Sequence, residues 1–189
     1  MTEAGIGRVL VASLHQAIAD LLPDRLEFYE NWLNPYGLLH GTIGLAPLNA
    51  VLSFLRLEGD VYQDVTDRAG RYAAEWTFAS QGALQRGGIR ALPQWLRLRA
   101  ALRVARRMVR TSYVGSRALP THRRGEWRVD VRGSVFCGVR ASAHLPLCAF
   151  YVAAVSRFLE LYGVAGTARF GTCRAVGDAS CVMSVTLDR

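Results

Sequence analysis

The chain has 189 residues, of which 51% are apolar, and arginine alone supplies its net charge of +8, because the sequence contains no lysine. This length suffices for one well-filled core and favours a single domain over residues 1–189. The longest apolar runs are short or interrupted by proline and asparagine, which excludes a helix that spans a bilayer of about 30 Å. The first residues also lack the basic flank and apolar centre of a secretory signal, so we expect a cytoplasmic protein.

The first part of the chain predicts helices, because apolar residues recur there at helical spacing. Proline and glycine mark the boundaries: Pro23 ends the first helix, Gly59 follows the third, and Pro93 lies in the first turn of the last. Five helices are predicted, over residues 6–22, 24–33, 47–57, 60–79 and 93–113.

The second part of the chain alternates polar and apolar residues and predicts strands. Residues 126–132, 165–173 and 181–187 have this pattern, residues 146–162 return to a helix, and residues 119–125 are expected to form an exposed loop. The predicted class is therefore α+β, mainly helical over residues 1–115, with a helical layer packed on a small antiparallel sheet.

The last predicted helix of the first part is basic on one face. Arginine stands at positions 97, 99, 103, 106, 107 and 110, with apolar residues between them at helical spacing. A solvated face is the ordinary interpretation of this pattern. An anion site for carboxylates or an acidic partner is the alternative. No nucleic-acid motif accompanies these arginines, so no nucleic-acid partner is expected.

Three cysteines of the second part are placed where a metal could tie a helix to a hairpin. Cys148 starts an apolar helix, and Cys173 and Cys181 lie on either side of a glycine-containing turn. Thiolates suit zinc and related ions. The alternative is that these cysteines, like Cys137 in its apolar run, are small buried core residues, as free cysteines commonly are.

Motifs for catalysis are missing from the sequence. The glycines do not form a dinucleotide fingerprint or a P-loop, and no serine stands in a nucleophile elbow. No nucleotide cofactor is therefore expected, and the balance favours a protein that is not an enzyme.

The second part of the chain resembles the 4-vinyl reductase domain. The resemblance rests on Gly133-Ser134-Val135-Phe136-Cys137-Gly138, Cys148-Ala149-Phe150-Tyr151, Cys173-Arg174-Ala175-Val176-Gly177-Asp178 and Cys181. Residues 59–73 are similar to the longer bacteriochlorophyll 4-vinyl reductase family. Such domains resemble the ligand-binding fold of haem-dependent nitric-oxide sensors, TRAPP vesicle-tethering subunits and phenol-sensing activators, with an apolar pocket between helices and sheet.

The resemblance to the phenol sensors also implies a zinc site. Their zinc has three cysteine ligands, which correspond to Cys148, Cys173 and Cys181, and one glutamate, whose place is taken here by Phe170. Because a structural zinc normally has four protein ligands, Cys137 or His144 could supply the fourth, or the site could be empty.

The family resemblance implies a role in bacteriochlorophyll biosynthesis and hence in photosynthesis. Its ligand would be a divinyl magnesium tetrapyrrole such as protochlorophyllide or chlorophyllide. Vinyl reduction needs an electron donor that the sequence does not provide, so we favour a tetrapyrrole-binding carrier that presents its ligand to the pathway's enzymes. A vinyl reductase and a small-molecule sensor or adaptor module are the alternatives.

The chemistry of such a ligand selects candidate binding residues. His40 is the first choice as axial ligand of the magnesium. Arginine pairs well with propionates, and aromatic rings stack on a macrocycle. The remaining candidates are Arg103, Arg106, Arg107 and Arg110 for the propionates and Tyr72, Trp76 and Trp95 for stacking. A homodimer through the apolar first two helices, with Leu10, Leu14, Ile18 and Leu21, and association with a membrane surface are further expectations.

Overall fold

Apolar residues at every third or fourth position build the helical half of the chain. The computed structural model describes residues 5–33, 44–123, 126–138 and 143–188. Its helices are α1 (Arg8–Leu21), α2 (Leu26–Leu33), α3 (Leu45–Leu57), α4 (Val61–Ala79), α5 (Ala83–Arg90), α6 (Gln94–Ser112) and α7 (Ala149–Leu161). None of the helices in these ranges is both long and apolar enough to cross a membrane.

Helix α1 packs on α4 and uses its apolar face within the chain itself. Leu10, Leu14 and Ile18 have no exposed surface, and only Leu21 at the end of the helix is half-buried. The first three are therefore not available for the dimer contact that the sequence suggested, and a homodimer stays a prediction.

Helices α4 and α7 cross with their backbones in close contact. Gly70 of α4 faces the carbonyl oxygen of Phe150 in α7, and a Cβ atom at position 70 would overlap that oxygen. Glycine is needed here because it alone adds no atom to the crossing point. The close approach fixes α7 against the helical layer on one side while the sheet covers its other side.

Four antiparallel strands form the sheet, in the order β1-β2-β4-β3. They are β1 (Arg117–Arg123), β2 (Glu126–Arg132), β3 (Gly166–Thr172) and β4 (Cys181–Leu187). Alternate residues of β2 and β4, such as Val129, Val131, Met183 and Val185, are buried, as period-two strands with one covered face require. The predicted α+β class, with helices packed on a small antiparallel sheet, is confirmed.

Two local predictions are wrong. Residues 119–125 were expected to form a loop, but residues 117–123 form β1, which pairs with β2 over its whole length. Pro120 is tolerated because β1 is an edge strand of the sheet that the described residues form. The second helix starts at Leu26, since a short 3₁₀ turn occupies Pro23–Arg25 instead of a helix capped by Asp24.

Candidate metal centre

Four cysteines from three separate segments meet at one end of α7. Cys137 lies in the turn after β2, and Cys148 is the residue immediately before α7. Cys173 follows β3 and Cys181 begins β4. Their four Sγ atoms all lie within 4.8 Å of one another, so a single ion could contact all four.

The spacing of the sulfur atoms suits a mononuclear tetrahedral site. Cys137 Sγ lies 2.8 Å from that of Cys148 and 3.5 Å from those of Cys173 and Cys181, and Cys148 Sγ lies 3.6 Å from that of Cys173. A Zn–S distance of about 2.3 Å places tetrahedral sulfurs about 3.8 Å apart. Of these four pairs, the Cys137–Cys148 pair departs most from that spacing and would have to separate by about 1 Å. The four cysteines are free thiols rather than disulfides.

Hydrogen bonds divide the four thiols into two kinds. Hydrogen bonds from Cys137 and then from Cys148 lower the pKa of Cys181, and a hydrogen bond from Cys148 lowers the pKa of Cys173. The hydrogen bonds that Cys148 makes with Cys137, Cys173 and Cys181 raise its own pKa. The arrangement favours two thiolates, and an ion with a double positive charge would favour all four.

Backbone groups also support the sulfur atoms. The N–H of Arg174 points at Cys181 Sγ from 3.4 Å. The N–H of Cys173 donates to Asp178 Oδ2 at 2.7 Å, which closes the turn between the third and fourth ligands. Gly177 occupies the left-handed region in this turn, with φ of 101°, where a side chain is strained. The β3–β4 turn is thus built to present two cysteines.

The helical layer holds the other two ligand segments through their carbonyl oxygens. Arg56 Nη2 of α3 donates to Phe136 O at 3.0 Å, next to Cys137. In α4, Tyr62 donates to Leu147 O at 3.2 Å and Gln63 to Pro146 O at 2.7 Å, next to Cys148. The three side chains Arg56, Tyr62 and Gln63, here called the brace, tie the cysteine cluster to α3 and α4.

The structure brings together the three cysteines predicted as ligands and adds Cys137 as the fourth. His144, the other candidate, is exposed and does not belong to the group. Phe170, in place of the glutamate, lines a small cavity beside Cys148 and Cys181. Four protein thiolates leave no open coordination position, so the donor set fits a structural zinc rather than a catalytic one.

Among the described residues, those predicted to bind a tetrapyrrole lie at separate places on the surface. Tyr72 and Trp76 stack on each other with ring centroids 5.7 Å apart, and Tyr72 lines a groove of about 510 Å³ beside α1. Most of its other lining residues are charged; they are Leu21, Asp64, Asp67, Arg68, Arg71 and Glu75. Trp95 is 54% exposed and contacts the guanidinium of Arg99.

The predicted arginines lie on the outer side of α6. All four are exposed, and Arg106 and Arg110 also line a cleft of about 330 Å³ against β1. His40 lies outside the described residues.

Within the described residues, little space is left between α7 and the sheet, where the resemblance implied an apolar pocket. Among the described residues, the cavity found there has a volume of about 10 Å³ and is lined by Val131, Val152 and Met183 besides the residues named above. Such a space holds at most about one water molecule. A ligand between helix and sheet would require these side chains to move.

Comparison with known proteins supports the fold and no family assignment. No protein-family model and no curated protein matches the sequence. An H-NOX protein from S. oneidensis in the Fe(II)NO ligation state is 10% identical with a TM-score of 0.58, over 97% of this chain and 100% of that chain.

Two further solved structures share the fold. A trafficking protein particle complex subunit 3 from Naegleria fowleri, covalently bound to palmitic acid, is 14% identical with a TM-score of 0.52, over 95% of this chain and 96% of the other. The phenol-responsive sensory domain of the transcription activator PoxR with phenol is 14% identical with a TM-score of 0.50, over 76% and 74%. The chain therefore has the fold of H-NOX and TRAPP proteins, as the sequence predicted.

Proposed function

We propose that this protein is a small-molecule sensor or adaptor domain stabilised by a structural zinc ion. The observation that carries the proposal is the cluster of Cys137, Cys148, Cys173 and Cys181 within 4.8 Å, held in place from the helical layer. Zinc would cross-link three segments: the turn after β2, the start of α7 and the β3–β4 turn. Bound there, it supplies structural cross-linking and no chemistry of its own.

The fold neighbours support the sensing part of the proposal. Their bound molecules, phenol, palmitic acid and Fe(II)NO, differ widely in shape, so this fold accommodates small ligands of several kinds. In this chain, α4 carries Tyr62 and Gln63 of the brace at one end, and Tyr72 and Trp76 two to three turns further on. A ligand that shifts α4 would therefore also act on the metal centre.

Metal analysis of the purified protein tests the zinc site. We expect about one zinc per chain, retained by His144→Ala and lost from Cys137→Ser. This pair of variants is matched, because each removes one of the two side chains that the sequence offers as fourth ligand. Full zinc content in Cys137→Ser, or no zinc in the unaltered protein, would contradict the site.

Thermal shift measurements test the sensing function. The probes are phenol, palmitate and haemin, and a ligand should raise the melting temperature in a concentration-dependent way. Tyr72→Ala should weaken the effect of a ligand that binds against α4, while Leu84→Ala, at a fully exposed position on α5, should not. Failure of every probe, with the zinc content intact, would contradict the sensing function and leave the metal site standing.

A tetrapyrrole carrier of bacteriochlorophyll biosynthesis is the second candidate function. It is supported by the resemblance of residues 130–187 to the 4-vinyl reductase domain and by the stacked pair Tyr72–Trp76, a flat aromatic surface that is partly exposed. Tight binding of divinyl protochlorophyllide, with a shifted Soret band and no conversion in the presence of reductants, would establish the carrier. Conversion to the monovinyl pigment would identify a vinyl reductase instead, and no binding would contradict both.

A further inference from the structure

The arginines of the chain differ in the groups that their guanidinium nitrogens contact. Within the described residues, six arginines have a carboxylate oxygen within 4.0 Å, and three donate to backbone carbonyl oxygens. The first set is Arg25, Arg68, Arg71, Arg128, Arg132 and Arg157; the second is Arg56, Arg90 and Arg97. Other arginines in those parts of the chain, such as Arg103 and Arg107, have neither kind of partner. Three of these unpaired arginines, Arg106, Arg110 and Arg117, lie together.

These three arginines line one cleft. Arg106 and Arg110 are one helical turn apart on α6, and Arg117 is the first residue of the edge strand β1. Ala118 and Leu119 complete the lining of the cleft, whose volume is about 330 Å³. That volume lies at the lower end of the range of small-molecule sites, about 300–1,000 Å³.

The charges around the cleft leave its positive potential uncompensated. The residue opposite Arg117 on β2 is Arg132, another positive charge. Asp130, opposite Leu119, is the carboxylate of this part of β2, and its Oδ2 accepts from Arg132 at 3.0 Å. Like charges placed together repel one another unless an anion lies between them.

Helix electrostatics explains only part of the cluster. Arg110 is in the last turn of α6, where a positive charge interacts favourably with the helix dipole. Arg106 lies one turn earlier and Arg117 lies outside the helix. The helix dipole therefore does not account for the convergence of all three on one cleft.

We infer that this cleft binds a phosphate group attached to an apolar moiety. A doubly charged phosphate can accept paired hydrogen bonds from more than one guanidinium group, and it offsets more of the charge of three arginines than a single carboxylate does. Leu119 is half-buried beside the arginines and offers a surface for the apolar part of the ligand. The site is separate from the cysteine cluster and does not depend on the zinc proposal.

The experiment is a binding titration of the full chain with inorganic phosphate, phenyl phosphate and vesicles of phosphatidylcholine with or without phosphatidic acid. The test variants are Arg106→Gln and Arg117→Gln. The matched control is Arg103→Gln, which removes the same charge from the same helix but does not line the cleft. Circular dichroism and the melting temperature check that each variant is folded.

We expect phenyl phosphate to bind more tightly than inorganic phosphate, each test variant to lose about tenfold in affinity, and the control to change less than about twofold. The vesicles distinguish the two sources of the same chemistry: binding of phenyl phosphate supports a soluble ligand, and binding restricted to phosphatidic acid vesicles supports a lipid headgroup. An equal loss of affinity in the control would show that anions are attracted by the overall positive charge and not bound in the cleft, which would overturn the inference. Failure of phenyl phosphate and vesicles alike at millimolar concentration would overturn it as well.

Discussion

The guanidinium group of Arg56 donates a hydrogen bond to the carbonyl oxygen of Phe136 at 3.0 Å, one residue before the fourth cysteine of the cluster. The same guanidinium lies 6.0 Å from the ring centre of Tyr62, which holds the segment before Cys148. Within the described residues, the buried Nε of Arg56 has no hydrogen-bond partner. A site with four thiolates on a zinc ion would carry two negative charges, so the half-buried Arg56 beside it would offset part of that charge.

Arg56→Gln should therefore weaken metal retention. Groups that orient metal ligands typically contribute about 10- to 100-fold to metal affinity, so zinc should leave the variant at least about tenfold faster when a chromophoric chelator is added. Arg25→Gln is the control, because it removes the same charge at an exposed position. Arg25 is paired with Glu58 near the end of α3. Equal rates in the two variants would show that Arg56 does not position the site.

Removal of the metal should destabilise the whole chain. Structural zinc sites contribute several kcal/mol to folding, and about 1 kcal/mol corresponds to about 2–4 °C in a chain of this size. We expect a chelator to lower the melting temperature by at least about 10 °C, and added zinc to restore it. Cys173→Ser should melt at the lower temperature and show no response to the chelator. An unchanged melting temperature after complete metal removal would assign the four cysteines to ordinary core packing.

The crossing of α4 and α7 makes Gly70 sensitive to the smallest side chain. Gly70→Ala should destabilise the protein by about 1–3 kcal/mol, because the new methyl group meets the Phe150 carbonyl and the helices must separate. Gly87→Ala is the matched control, since α5 leaves open space around position 87 and alanine favours a helix there. Urea unfolding of both variants measures the difference, and equal stabilities would mean that the crossing is loosely packed.

A buried tyrosine should make stability depend on alkaline pH. Burial, followed by the charge of Glu58, raises the pKa of Tyr29 to about 12. In the unfolded chain the phenol ionises near pH 10. Between those two values the unfolded chain releases a proton that the folded chain keeps, so stability falls as pH rises through this window.

Tyr29→Phe should remove this contribution. The free energy of unfolding of the variant should fall less steeply between about pH 10 and 12 than that of the unaltered protein. A pH titration followed by absorbance at 295 nm should show one fewer phenol that ionises late. Tyr113→Phe, at a partly exposed position, serves as the comparison. If the two variants show the same alkaline profile, Tyr29 does not titrate as a buried group.

The local pattern of apolar residues predicts most helices and strands, because each of them buries one face and its apolar residues therefore recur with the period of a helix or a strand. The alternation in residues 181–187 gives β4 with its observed bounds, and α3 and α4 end and begin around Gly59 as expected. Helix α5 was missed because it contains Gly87-Gly88 and buries no residue, so it lacks the apolar stripe. Strand β1 was missed because Pro120 signals a loop, and only the position of a strand in the sheet shows whether proline is tolerated.

The candidate site was predicted in part for a similar reason. Cys148, Cys173 and Cys181 were identified from a resemblance and from their places around a helix start and a turn. Cys137 follows Val135-Phe136 in an apolar run, which favours a position in the core. In the structure these residues form a turn after Gly133, whose φ is 64°. The signal that could have marked it is the pair of glycines at 133 and 138, which enclose the cysteine in a turn. The brace was beyond prediction, because Arg56 and Phe136 are 80 residues apart.

Strand β4 comes last of the four strands in the chain and yet lies between β2 and β3. During synthesis, β3 therefore has no strand to pair with until residues 181–187 have left the ribosome. The same strand begins with Cys181, which completes the sulfur cluster. Closure of the sheet and completion of the metal site are thus a single late event, and a ribosome-bound chain that stops before position 181 should capture no zinc firmly and remain sensitive to protease.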